Sequence, residues 1–383
     1  MAEIAFVLES FPQLSETFIL DQMRSLSDAG YNVHVIADRF NEYDEDVFGD
    51  LSFISSSNFR WKYSRVTSHF MGRLPWFIYS RLKVLFDFIA DRQLRKYDLV
   101  VAHFGFNGLR LARSRSLKRF RTPIISIFHG YDVGIPLANN TLGSYECLFK
   151  EAKLILCVNE WFKKVLVDSG ASSYKVKVHR MGVDIENINF KERDRESLEI
   201  VSVCRLVEKK GISVALNAIS ELITERPSIP LKYKIIGDGP LRKELEEQVL
   251  RLKLTEHVIF LGSMPHSMVQ ECLDSSNTFL LPSVTARNGD VEGVPVSLME
   301  AMASGATVVS SFHSGIPELI DNGVSGLLAK ENDSSGLASA LSELHDNPLA
   351  ASKMALEGRS KVVADFNSSK LKKLFLRYVR ESQ

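Results

Sequence analysis

Short apolar runs recur along the chain, each followed by a longer stretch in which apolar residues return every three or four positions. Residues 4–8, 33–37, 98–103, 123–128 and 154–158 are too uniformly apolar for strands with one face in water. Residues 16–29 have helical periodicity, with Ser15 placed as an N-cap and Gly30 as a stop. The pattern restarts after residue 185. Strands are expected at 198–203, 233–236, 257–261, 278–281, 307–310 and 325–328, and helices at 212–224 and 241–251. The polar, charged stretch 186–197 between the halves reads as a linker. Strands separated by helices predict parallel, helix-covered sheets. The expected fold is therefore α/β, with two doubly wound, Rossmann-like domains over residues 1–185 and 186–365. A terminal segment, 366–383, follows the second domain. In such sheets ligands bind at the carboxyl ends of the strands, so two facing sheets imply a cleft between domains.

Composition adds little until charge is mapped. A chain of 383 residues, 45% apolar and 25% charged, suits two ordinary globular domains. No apolar run approaches the ~20 residues of a membrane span, and the start lacks the basic-then-apolar pattern of a secretory signal. Cys147, Cys157, Cys204 and Cys272 match no zinc or redox spacing, which fits a reducing cytoplasm. Net charge is zero, yet residues 1–50 hold 11 acidic and 2 basic side chains, and residues 51–125 hold 3 acidic and 15 basic ones. Aromatics mix with cations through 59–97, and Arg110, Arg113, Arg115, Lys118, Arg119 and Arg121 follow. That mixture predicts peripheral docking of segment 59–121 on an anionic membrane surface, on the inner face of the cell membrane. No nucleic-acid motif accompanies the charge, and no nucleic-acid partner is expected.

The densest candidate chemistry lies between Glu292 and Glu300. Gly293, Val294 and Pro295 read as a helix start, with Pro295 in the first helical position. The first turn of a helix favours phosphate, and a carboxylate on either side can read sugar hydroxyls. Arg205 follows a strand end, and Lys210 precedes Gly211, a spacing suited to gripping a diphosphate. Gly237-Asp238-Gly239-Pro240 makes a tight strand-to-helix turn but lacks the third glycine of a dinucleotide fingerprint. His129 ends a strand and precedes Gly130. Asp44-Glu45-Asp46 has the Asp-x-Asp form of a metal site but no apolar strand directly before it, so no metal is expected.

Four of these segments, in this order, carry a resemblance: His129-Gly130-Tyr131-Asp132, Cys204 through Gly211, Ile236 through Leu241, and Glu292 through Gly305. They are similar to the signature of family 4 glycosyltransferases, retaining enzymes of the two-domain GT-B fold. The segment from Phe11 to Ile19 resembles the bacterial exopolysaccharide and O-antigen branch. The resemblance implies that Arg205 and Lys210 neutralise the leaving diphosphate and that Glu300 binds the nucleotide ribose. It also implies that Glu292 and His129 lie at the donor sugar and that Gly237 and Gly239 lie beside the nucleotide. Ser15 and Thr17 stand where the wider family commonly has paired glycines, which leaves acceptor handling open. The implied reaction moves a hexose from a nucleotide diphosphate sugar, uridine favoured and guanosine possible, to a lipid-linked glycan, with no metal or cofactor. Two alternatives stay open: a non-catalytic partner of the same fold, and a nucleotide-sugar epimerase.

Overall fold

A computed structural model describes residues 1–13, 17–42, 50–56 and 91–383. The chain divides into two compact units, Met1–His179 with Lys372–Gln383, and Arg180–Leu371.

The first unit is built on a seven-stranded sheet. Its strands are β1 (Glu3–Phe11), β2 (Asn32–Phe40), β3 (Ile54–Ser56), β4 (Leu99–His103), β5 (Ile124–Phe128), β6 (Leu154–Cys157) and β7 (Val176–Val178), in the order β3-β2-β1-β4-β5-β6-β7. Every pairing is parallel. β4 and β5 are buried along their whole length, as strands covered on both faces must be. The sequence pattern missed β3 and β7, each three residues long and at a sheet edge, where little burial marks them. The terminal helix Ser368–Ser382 contributes Phe375 and Val379, both fully buried, to the core that holds Ile4, Phe6 and Ile127.

The second unit repeats the plan with six strands. They are β8 (Leu198–Val203), β9 (Leu231–Ile236), β10 (Val258–Gly262), β11 (Thr278–Leu281), β12 (Thr307–Ser311) and β13 (Leu327–Ala329), in the order β10-β9-β8-β11-β12-β13. Again all pairs are parallel. The strand order reverses between β8 and β11, which opens a crevice at their carboxyl ends. The stretch 186–197, read as a linker, belongs to this unit. Its arginines hold it there: Arg193 donates to the Ser304 carbonyl at 2.7 Å and Arg195 to that of Asn277 at 3.2 Å. Among the described residues no helix is long and apolar enough to cross a membrane.

Candidate active site

The carboxyl ends of β8 and β11, side by side at the switch point, bring Lys210 and Glu292 together. Gly211 has φ +67 and sits where an added Cβ would lie 1.8 Å from the Pro282 carbonyl oxygen, so only glycine lets the chain after β8 touch the chain after β11. Immediately before it, Lys210 Nζ lies 2.9 Å from Glu292 Oε1. Lys209 Nζ reaches Asp290 at 3.1 Å and Glu292 at 3.8 Å. Both groups of the central pair are largely buried, Lys210 15% and Glu292 9% exposed at the side chain. Burial pushes the Glu292 carboxyl up, but the Lys210 and Lys209 charges outweigh it and hold the group below the usual carboxylate range. Burial likewise pulls Lys210 down, and Glu292 reverses the sign. Beside them burial drives the Cys204 thiol up to about 12, so it stays neutral and is no nucleophile.

Arg205, five positions earlier, is exposed, and its guanidinium makes no ion pair among the described residues. Its loop is fixed from below. Cys204 and Leu206 donate to the carbonyls of Ile236 and Asp238 at 3.0 and 2.9 Å, and Leu241 donates to Leu206 at 3.1 Å. Gly237, at φ +124, and Gly239 would drive a Cβ to 1.9 Å from the Cys204 oxygen and 2.5 Å from the Leu206 oxygen. The close approach these glycines permit in this structure is between two loops of the protein itself.

The helix after Glu292 runs Val296–Ser304, with Pro295 in extended conformation (ψ 125) as its N-cap. The expected start at Pro295 is thus one residue early, and Gly293, Val294 and Pro295 form the approach to the helix. Glu300 is its fifth residue, half-buried, with burial raising its carboxyl and His266 partly opposing. Gly305, at φ +99, ends the helix.

His129 lies in the first unit, at the end of β5. Its ring is 3.0 Å from His103 at Nε2···Nδ1 and stacks on it at 5.2 Å between centroids. Asp132 shapes the turn: its carboxylate accepts from the backbone N–H groups of His129, Gly130 and Gly105 at 3.0, 2.9 and 2.8 Å. Burial, then the neighbouring His179, lowers the His129 ring to about 3. The imidazole is neutral at physiological pH and is unsuited to donate a proton there as imidazolium. Thr17 opens the helix Thr17–Asp28. Ser15 and the Asp44–Asp46 pattern lie outside the described residues, as does most of segment 59–97. Of the second basic cluster, Arg110, Arg115 and Arg119 are committed to Asp38, Glu151 and Asp91 at 3.2, 2.8 and 3.2 Å.

Sequence reasoning passed over Lys209, which its place beside Lys210 would have suggested, and His313, whose imidazole accepts the Glu292 N–H at 3.0 Å. Nothing in the local sequence marks that histidine.

Two parallel doubly wound units, taken with the matches that follow, mark a glycosyltransferase of the GT-B fold. Residues 15–187 match the family description Glycosyltransferase Family 4, and residues 184–361 match Glycosyl transferases group 1. The amylovoran biosynthesis glycosyltransferase AmsK of Erwinia amylovora is 33% identical over 392 residues, spanning 95% of this chain and 96% of its own. The putative colanic acid biosynthesis glycosyltransferase WcaL of Escherichia coli is 34% identical over 395 residues, with the same coverage of 95% and 96%. Anabaena Alr3699/HepE, solved in complex with UDP-glucose, superposes with a TM-score of 0.77 at 18% identity over 100% of both chains. The chain belongs to glycosyltransferase family 4.

Proposed function

We propose that this enzyme transfers a hexose from a nucleoside diphosphate sugar, with retention and without a metal ion, to a lipid-linked glycan during assembly of a bacterial exopolysaccharide. The observation that carries the reading is the Lys210–Glu292 pair at the β8/β11 switch point, with Arg205 uncommitted on the same loop and the helix start at Val296 following Glu292. A diphosphate arriving there finds two cations and a helix N-terminus, so its charge can be balanced by the protein alone. Its oxygens compete with Glu292 for Lys210, which leaves the Glu292 carboxylate able to accept sugar hydroxyls. In this reading Glu300 takes the ribose hydroxyls, and Gly237 and Gly239 border the nucleotide. His129, at the donor sugar, and Ser15 and Thr17, on the acceptor side, belong to residues 1–185, the acceptor-binding half; residues 186–365 bind the donor. Catalysis then comes from positioning and from stabilising the leaving diphosphate. The exopolysaccharide assignment leans on the names of AmsK and WcaL, and the uridine preference on UDP-glucose in Alr3699/HepE.

Peripheral membrane docking is proposed for segment 59–97 together with three exposed cations of the second cluster, Arg113, Lys118 and Arg121. Flotation with anionic liposomes at low and high salt tests it; protein left at the bottom at low salt refutes it. The reaction itself is tested by incubating the protein with UDP-hexoses and lipid-linked acceptor fractions in EDTA. Proton NMR should show the anomeric configuration of the donor kept in the product. An inverted centre, or activity lost to EDTA and restored by manganese, would reject this mechanism.

A further inference from the structure

Glu292 is held by its side chain on one side and by its backbone on the other, and the second hold is built from residues outside the donor site described above. His313 follows β12 and is 1% exposed. Its Nε2 accepts the backbone N–H of Glu292 at 3.0 Å. An amide N–H can only donate, so Nε2 carries no proton and the ring proton must sit on Nδ1. There it meets Glu331 Oε1 at 2.6 Å. Glu331, which follows β13, also accepts from Thr285 N–H at 2.7 Å and Thr285 Oγ1 at 3.3 Å. Thr285 lies in the loop after β11, the same loop that carries Glu292. Ser314, next to His313, takes φ 46, a left-handed conformation that costs a non-glycine residue and sets the direction of the turn.

The order β11-β12-β13 puts these three loops side by side, and the chain of bonds Thr285–Glu331–His313–Glu292 runs out across them and back. We propose that His313, fixed in its Nδ1–H tautomer by Glu331, is a positioning residue that sets the place of Glu292 at the donor sugar. This rests on the role given to Glu292 above. Lys210 neutralises the Glu292 side chain but leaves the route of its backbone open; His313 fixes that route. Moving the ring proton to Nε2 sets one N–H against another at Glu292 and breaks that hold. The groups facing His313 are Glu331 at Nδ1 and, on the other side, the Glu292 backbone at Nε2 and the Glu292 carboxylate, with the Lys209 and Lys210 ammonium groups beyond it.

The test is an isosteric change away from the donor. Glu331→Gln removes the charge that demands a proton on Nδ1, and its amide N–H favours the opposite tautomer. With 15N-labelled histidine, wild-type His313 should show a protonated Nδ1 and a bare Nε2, identified by its loss in His313→Ala. Glu331→Gln should shift that signature and lower kcat roughly tenfold to a hundredfold, while UDP affinity by calorimetry stays within about twofold. A wild-type Nε2–H tautomer, or wild-type kcat in Glu331→Gln, overturns the proposal. Equal losses of UDP affinity and kcat also overturn it, because they mark a merely structural role. Glu292→Gln is assayed alongside: should it keep wild-type turnover, the reading of the donor site fails, and the tautomer signature alone judges the positioning claim.

Discussion

Replacing Lys210 by alanine should damage stability and catalysis by separable amounts. The side chains of Lys210 and Glu292 are both largely out of water, and their charged atoms are 2.9 Å apart. Removing one partner of a buried pair strands the other, at ~3–5 kcal/mol. Lys209, at 3.8 Å from Glu292, remains as a second cation, so the lower end, ~3 kcal/mol, applies. For a unit of this size that is a fall of ~6–12 °C in its melting temperature. A diphosphate also loses a charge-assisted hydrogen bond worth ~1.5–3 kcal/mol, roughly tenfold to over a hundredfold in kcat/KM. The double variant Lys210→Ala/Glu292→Gln removes the stranded charge, so most of the melting temperature should return while activity stays low. Thermal melting and donor turnover on the same four proteins complete the cycle. An unchanged melting temperature in Lys210→Ala, or a double variant less stable than the single one, would refute the reasoning.

Arg205→Ala gives the contrasting result: the side chain is exposed, so kcat/KM should fall at least tenfold with a melting temperature within about 1 °C of wild type. Acid should weaken the first unit through His179 and His129, whose rings burial holds at about 4 and about 3. The unfolded chain protonates them near pH ~6.5 and the folded one does not, so stability falls as pH drops below ~6.5, by ~1.4 kcal/mol per histidine per pH unit, until the folded values are reached. His179→Phe keeps the stack on Phe375, at 5.4 Å in wild type, and should flatten that slope in urea titrations between pH 6.5 and 5; an unchanged slope counts against the burial argument. Gly237→Ala places a Cβ 1.9 Å from the Cys204 oxygen at φ +124 and should lower the melting temperature of the second unit by more than an ordinary ~1 kcal/mol substitution does.

The central strands were legible because burial on both faces writes an unbroken apolar run into the sequence, as in β4 and β5. Edge strands such as β3 and β7 leave no such run. Local turn rules read the helix after Glu292 to within one residue, but proline fits an N-cap as readily as a first helical turn. The stretch 186–197 looked like a linker because its arginines are polar in composition, whereas their targets, the Ser304 and Asn277 carbonyls, are about a hundred residues away in sequence. The same limit governs the site. Motif spacing singled out Lys210 and Glu292 separately, but their ion pair arises only when β8 and β11 become neighbours. His313 meets Glu292, and Glu331 meets His313, through sheet order alone, so no short window of the sequence contains the three together.

Calorimetric titration of UDP, GDP and ADP into the metal-free protein tests the donor site most directly. UDP should bind most tightly in EDTA, and Lys210→Ala and Arg205→Ala should each weaken it at least tenfold. No binding of any nucleoside diphosphate, or wild-type affinity in both variants, would contradict the account.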